Sequence, residues 1–366
     1  MRGAARVCSI LPAFPAPNTD PDTMAPTEQK IWIVNENPTH EVQPDTFRLE
    51  TRPIPELKDG EVLVQVEFIS NDPAQRGWIQ KGSDPDRAYV KPVRAGEPMR
   101  ASGIGKILAS KSSKWKEGQR VYGYFGWADY VVVPEAGVVM EAIDLPGVTA
   151  ASLSILGMVA VTAYQGIFEV LDCKPEHTVL VSGAAGAVGS AAIQYAKHIV
   201  GAKRVVGIAG GAEKCKWVES LGADACVDYK DPNFAANLKE ALQGYADRYF
   251  ENVGGDVLNA AFRLIKRYGK IGICGMISGY NGKVIPLPNF FEVISNRITI
   301  EGFLVLDVVD RYGDIVKKIA GWAKEGKIKL DDAETVVPTK IDDIPKTWQR
   351  LFRGENRGKL VTQLVA

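Results

Sequence analysis

The chain has 366 residues, with 44 Lys and Arg balanced by 44 Asp and Glu. That length predicts two domains, since a domain spans about 100–200 residues. The hydrophobic share of 46% excludes disorder as the main state, and zero formal charge leaves no electrostatic footprint for nucleic acid.

The first 19 residues hold Arg2 and Arg6 and no acid. Residues 1–23 read either as a mitochondrial presequence or as a tail from an upstream start, with Met24-Ala25-Pro26 as a second start. Pro12, Pro15 and Pro17 oppose the helix a presequence needs, so residues 1–28 are expected to be a disordered extension. The expected compartment is the cytoplasm, with the mitochondrion open through residues 1–23.

From Gln29 to about Pro134 the pattern is short strands and turns. Lys30–Val34 is β-branched and aromatic, and Glu61–Phe68 alternates at period two after an Asp59-Gly60 turn. Ile104–Leu108, Arg120–Tyr124 and Tyr130–Val133 continue the run, punctuated by Gly and Pro. These predict a β-rich, barrel-like first domain. The longest apolar stretch, Leu145–Ala163, is interrupted by Pro146, Gly147 and Gly157. It falls short of the roughly 20 apolar residues of a membrane span, and predicts a buried helix entering the second domain.

After residue 150 strands alternate with helices, the signature of a parallel sheet. Strands are expected at Thr178–Ser182, Arg204–Ile208, Ala225–Asp228, Arg248–Glu251, Lys270–Cys274 and Ile298–Phe303. Helices are expected at Ala187–Val200, Glu213–Leu221, Phe234–Leu242 and Val257–Ile265. A helix over Tyr312–Ala323 precedes strands at Glu334–Val337 and Lys359–Leu364, which return to the first domain. The first domain is then discontinuous, with a cleft between two lobes.

Metal chemistry has little to draw on. His40, His177 and His198 form no H-E-x-x-H, and Cys8, Cys173, Cys215, Cys226 and Cys274 form no C-x-x-C pair. A zinc site needs three or four converging ligands, so no metal is expected. The thiols suit a reducing compartment. Catalysis should rest on a cofactor, on Tyr or Lys, or on backbone groups.

The sharpest motif is Val179-Leu180-Val181-Ser182-Gly183-Ala184-Ala185-Gly186-Ala187-Val188-Gly189. A strand enters, a glycine-rich turn follows, and a helix leaves. A helix start offers free N–H donors and partial positive charge to a pyrophosphate. Gly186 permits close backbone approach and Gly189 close helix–strand packing, although Ala184 replaces the usual first Gly. NAD sites place an acid about 20 residues on, at the end of the second strand. Here Ile208-Ala209-Gly210-Gly211 stands there, with Lys214 following. A small residue plus Lys accommodates a 2′-phosphate, so NADPH is favoured, although Glu213 stands beside Lys214. Tyr229 either lies against that phosphate or packs at a strand end.

These residues resemble the zinc-independent medium-chain dehydrogenase/reductases, in the branch of leukotriene hydroxydehydrogenase/prostaglandin reductase, alkenal double-bond reductase and curcumin reductase. The resemblance runs from about Gln29 to the C-terminus. It rests on Asn71–Trp78, Gly126–Tyr130, Leu156-Gly157 to Tyr164, the glycine turn, Glu213–Cys215, Phe250–Gly255, Cys274–Asn281, Gly302–Val305 and Gly354–Lys359, in that order.

It implies an α/β fold: a Rossmann-type, doubly wound parallel sheet over 151–306, inserted into a discontinuous GroES-like barrel domain of 29–150 and 307–366. By matching positions, Gly186, Ala187, Val188 and Gly189 would hold the pyrophosphate. Lys214 and Tyr229 would hold the 2′-phosphate end. Asn252, Cys274, Gly275, Tyr280, Phe303, Val305 and Asn356 would surround the nicotinamide half. Their alternative readings are strand ends and turns, which Asn and Gly favour anyway.

The resemblance also implies NADPH-dependent reduction of a carbon–carbon double bond conjugated to a carbonyl, acting on a small hydrophobic substrate. Hydride reaches the β-carbon, charge moves to the carbonyl oxygen, and a donor aimed at that oxygen stabilises it. Tyr280 is the candidate donor, with Tyr89 a weaker one; Tyr280 packing on the cofactor while water supplies the proton is the alternative. Relatives often carry Tyr where Ala74 stands, which implies an altered or roomier pocket. Other readings are a zinc-independent alcohol dehydrogenase or ketone/quinone reductase, and a non-catalytic NADPH-binding protein. A homodimer is expected by resemblance, through edge strands near Ile298–Phe303.

Overall fold

The computed structural model describes residues 26–283, 285–330 and 332–366; the sequence readings on residues 1–25 lie outside them. In chain order, β1 (Glu28–Val34), β2 (Phe47–Pro53) and β3 (Glu61–Ser70) are followed by a short helix α1 (Gln75–Trp78). Then come β4 (Ser102–Ser110), β5 (Arg120–Tyr124), β6 (Tyr130–Pro134) and β7 (Val138–Glu141). Next, α2 (Met158–Tyr164) leads to β8 (Thr178–Ser182), α3 (Ala187–Gln194), β9 (Arg204–Ala209), α4 (Ala212–Ser220) and β10 (Ala225–Asp228). The second lobe continues with α5 (Phe234–Leu242), β11 (Ala246–Glu251), α6 (Gly255–Phe262), β12 (Ile265–Ile273), α7 (Glu292–Ser295) and β13 (Thr299–Gly302). Last are α8 (Tyr312–Lys324), β14 (Glu334–Lys340), α9 (Ile344–Gln349) and β15 (Lys359–Val365).

Six strands form one parallel sheet in the order β10-β9-β8-β11-β12-β13. Every residue of β8 is buried, which fits a central strand covered on both faces. One face carries α2, α3 and α8; the other carries α5 and α6, whose Leu238, Leu242, Val257 and Leu258 join Leu180 and Val206. The strand order reverses between β8 and β11. Ligands of open α/β sheets bind outside the carboxyl ends of strands at such a switch.

The other large sheet runs β14-β15-β3-β4-β5-β7, with β6 also on β3. β15 pairs antiparallel with β3, so the chain's last strands join the sheet that β3 begins, while β1 and β2 pair as a separate two-stranded sheet. Trp348 on α9 fixes this return: it is fully buried, with its ring 5.5 Å from Trp127 and 6.0 Å from Phe47. α8 lies beyond residue 307, yet its Ile315, Val316 and Ile319 join the core around α2 and α3.

Some expected elements differ. The apolar run from Leu145 becomes helical only at Met158, after a series of tight turns. A Cβ at Gly157 would stand 2.5 Å from the Ser152 carbonyl oxygen, so the turns pack backbone on backbone there. The helix expected over Val257–Ile265 ends at Phe262, because Ile265 already pairs with Ala246 as a strand. The sequence reading did not anticipate β2, β7 and α9. No helix among the described residues is long and apolar enough to cross a membrane.

Candidate functional site

The glycine turn is built by close approach. Gly183 takes φ +58°, and the Gly186 N–H closes the turn onto the Gly183 carbonyl at 2.9 Å. A Cβ at Gly189 would stand 2.2 Å from that same carbonyl oxygen and 2.8 Å from Ala184 Cα. Both obstacles are backbone and cannot move aside, so only glycine lets α3 start this close to β8. No side chain caps α3. Its first N–H groups, from Ala187 and Val188, are therefore available to an anion. The Gly358 N–H donates to the Ala185 carbonyl at 2.9 Å, which lays the C-terminal segment beside the turn. There Asn356 donates its Nδ2 to the Gly358 carbonyl.

At the end of β9, a Cβ on Gly210 would come within 2.8 Å of the Tyr229 ring, so Tyr229 lies against a bare stretch of backbone. Lys214 donates its Nζ to the Gly354 carbonyl at 2.7 Å. Burial holds its pKa below the usual lysine range, and the nearby Lys230 ammonium adds to this. Two cations and a half-exposed phenol thus converge, which fits a 2′-phosphate. Sequence reasoning missed one acid here. Asp228, from the neighbouring strand, accepts the Gly211 N–H at 2.8 Å and the Lys230 N–H at 2.9 Å through Oδ1. That oxygen is committed to backbone donors.

Next to β8, the Asn252 N–H donates to Ser182 Oγ at 2.8 Å and its Nδ2 to the Ser182 carbonyl at 2.7 Å. Cys274 hangs on the Glu251 carbonyl through a 2.8 Å backbone bond. Burial pushes the Cys274 thiol up to about 12, with the Glu251 carboxyl adding to it. Tyr280 folds back over this loop: its hydroxyl accepts the Met276 N–H at 3.2 Å and faces Gly275. Tyr89, from the other lobe, accepts the Trp78 Nε1–H at 3.1 Å. Burial raises both phenols above their ordinary range, and the two lie close enough to influence each other.

Phe303, expected to lie near the nicotinamide half, has its ring in the core. Its ring is buried edge-on against Phe250 at 5.7 Å. Val305 packs at the rim of the same core. The apolar character of Phe303 is a core signal, and it competes with any ligand reading.

Sequence reasoning assigned no role to Glu251, Arg76 or Lys359, although all three lie in segments that carry the resemblance. Lys359 is 2% exposed, with its Nζ on the Asn71 carbonyl at 3.0 Å and paired with Asp72. Arg76 is fully buried and holds the His40 carbonyl. Glu251 is fully buried and burial raises its carboxyl. A charged residue inside an apolar strand or beside a glycine pair was the available signal.

Among the described residues no group of three or more His, Cys, Asp and Glu is arranged to hold a metal ion. Residues 30–140 match the family described as the N-terminal domain of oxidoreductase, and residues 187–321 match the family described as zinc-binding dehydrogenase. The chain is 33% identical to the NADPH-dependent curcumin reductase of Escherichia coli, over 91% of this chain and 96% of that one. It is 34% identical to the NADP(+)-dependent 2-alkenal reductase of Nicotiana tabacum, over 83% and 87%. The crystal structure of CurA from Vibrio vulnificus in complex with NADPH superposes with a TM-score of 0.83 at 31% identity, covering 92% and 99%.

Two outcomes test this geometry. Lys214→Ala should weaken NADPH binding about tenfold or more and leave NADH binding nearly unchanged, as titrations of cofactor fluorescence would read. For Glu251, folding raises the pKa, so its contribution is full below the usual carboxylate range and is lost as pH rises through the raised value. The urea midpoint should therefore fall as pH climbs above that range, and Glu251→Gln should flatten the fall.

Proposed function

The chain belongs to the zinc-independent medium-chain dehydrogenase/reductase family and is an NADPH-dependent oxidoreductase acting on carbon–carbon double bonds; from this we propose that its substrates are hydrophobic α,β-unsaturated ketones and aldehydes. The observation that carries the substrate reading is the state of the two phenols. Tyr280 and Tyr89 each accept an N–H from the protein, at 3.2 and 3.1 Å. A hydroxyl that accepts an N–H still has its own proton to donate to an incoming oxygen, and a phenol carries that proton at neutral pH.

The cofactor supplies hydride when bound. The residues proposed to hold it are Gly186, Ala187, Val188 and Gly189 at the pyrophosphate, and Lys214 and Tyr229 at the 2′-phosphate. Asn252, Cys274, Gly275, Tyr280, Val305, Asn356 and the backbone of Phe303 would frame the nicotinamide half. Tyr280 is the proposed catalytic residue. Its O–H donates to the substrate carbonyl and stabilises the enolate as charge arrives there. Tyr89 is the alternative donor from the opposite lobe. The proposed lobe division is 29–150 with 307–366 against 151–306, with α8 docking across it.

A homodimer through β13 belongs to the same reading. β13 is the outer strand of its sheet and is exposed throughout; beside its one apolar side chain, Ile300, the flanking Phe291 (70% exposed), Ile294 (68%) and Leu306 are exposed too. An open edge strand beside exposed apolar side chains is a template for pairing with a second copy. Sedimentation should find a dimer, and Ile300→Lys should yield monomers.

The activity is tested by following NADPH absorbance with panels of enones, ketones and quinones. Oxidation with enones is expected; turnover of simple ketones alone would overturn the proposal. Tyr280→Phe should lower kcat about tenfold or more while leaving the KM for NADPH near its original value. Unchanged turnover would move the donor role to Tyr89 or water.

A further inference from the structure

We propose that Glu251 is a positioning residue for the nicotinamide half of the cofactor, acting through Asn252 on one side and the Cys274–Tyr280 loop on the other. The inference rests on the cofactor placement proposed above and adds a residue outside it.

Glu251 ends β11 at the carboxyl edge of the sheet, where two loops must be held in register. Its side chain is fully buried. Through Oε1 it accepts the N–H groups of Val253 and Gly254, both at 2.5 Å. Through its backbone carbonyl it accepts those of Cys274 at 2.8 Å and Gly275 at 3.3 Å. One residue thus fastens the loop after β11 with its side chain and the loop after β12 with its main chain.

The first loop needs that fastening. Gly254 and Gly255 take φ values of +74° and +58°, and glycine pairs bring little conformational stiffness of their own. With 253 and 254 fixed, Asn252 is locked onto Ser182 by two bonds, and both N–H groups used are accounted for by Ser182. The second loop then hangs on the first. Ser278 donates its N–H at 3.0 Å and its hydroxyl at 2.6 Å to the Val253 carbonyl, and the Ile277 N–H reaches the Asn252 carbonyl at 3.3 Å. Tyr280 lies two residues beyond Ser278. A shift at Glu251 therefore moves Asn252 and Tyr280 together.

An ordinary helix-start residue would do this at the surface. Here Oε2 is buried with no hydrogen-bond partner, and so is the hydroxyl of neighbouring Tyr249. Such burial is costly. A glutamine amide oxygen could accept the same two N–H groups, whereas alanine leaves them empty and aspartate, one methylene shorter, falls short of them.

The test separates the two ends of the cofactor. 2′,5′-ADP reads the Lys214–Tyr229 end and, through its 5′-phosphate, the glycine turn, but lacks the nicotinamide half; NADPH reads all three. Glu251→Ala should weaken NADPH binding about tenfold or more and lower kcat with an enone by a similar factor, while 2′,5′-ADP affinity stays unchanged. The deuterium isotope effect with 4-deuterated NADPH should rise as hydride transfer becomes limiting. Glu251→Gln should restore most of both losses, and Glu251→Asp should resemble the alanine variant. Should Glu251→Ala not fold, the Gln and Asp variants carry the same comparison. Equal loss of NADPH and 2′,5′-ADP affinity, a Gln variant as poor as Ala, or no loss at all would each overturn the proposal. Failure of the unaltered protein to oxidise NADPH with any enone would instead defeat the substrate reading, and the two binding affinities would still decide the role of Glu251.

Discussion

The structure depends on a contact that only an absent side chain allows. α3 begins so close to β8 that a Cβ at Gly189 would overlap the Gly183 carbonyl at 2.2 Å. With hydrogen in that place, the turn between strand and helix is tight. The first N–H groups of α3 then face outward at the carboxyl edge of the sheet. Everything proposed for the cofactor follows from that edge. The pyrophosphate would sit at the helix start, the 2′-phosphate one strand outward near Lys214, and the nicotinamide one strand inward near Asn252.

The second constraint is the return of the chain. β15 closes the first lobe's sheet on β3, and on its way Gly358 bonds the glycine turn at Ala185. Lys214 meets the Gly354 carbonyl just upstream. The cleft is therefore walled by one lobe's sheet edge and by the tail that completes the other lobe. Buried polar groups hold this geometry. Lys359 pairs with Asp72 beneath α1, and Arg76 pins the His40 carbonyl; Glu251 fastens two loops at once. Each places charge or hydrogen-bonding capacity in a dry region, where breaking a pair costs more than making it gains.

A conjugated carbonyl spreads the charge it receives, so a phenol can stabilise it without a Lewis acid. In the proposed role Tyr280 and Tyr89 suit that task because a phenol is protonated at neutral pH and each hydroxyl, while accepting an N–H, keeps its own proton to donate. The proposed 2′-phosphate site needs only local cations, so a chain of 44 acids and 44 bases is compatible with it.

The amino-acid sequence by itself determined the alternation of strands and helices after residue 150 and the glycine turn. It also showed the lack of clustered metal ligands and the small residues at the end of β9. These are local properties: periodicity, turn chemistry and spacing lie within a few residues of one another. Several of its expected elements match the observed bounds: Thr178–Ser182 is a short apolar run, Ala225–Asp228 ends at an acid, and Phe234–Leu242 is an amphipathic stretch between turn residues. Tertiary structure alone decided the rest. It turned the Asp228 carboxylate onto the Gly211 N–H, turned the Phe303 ring into the core, and stopped the Leu145 run from becoming helix before Met158. It also made Glu251 the common anchor of two loops that lie more than twenty residues apart in the chain. The physical reason is the same in each case. Which face of a strand end is covered, and which donor reaches a buried carboxyl, depends on packing partners far away in sequence, and no local pattern carries that information.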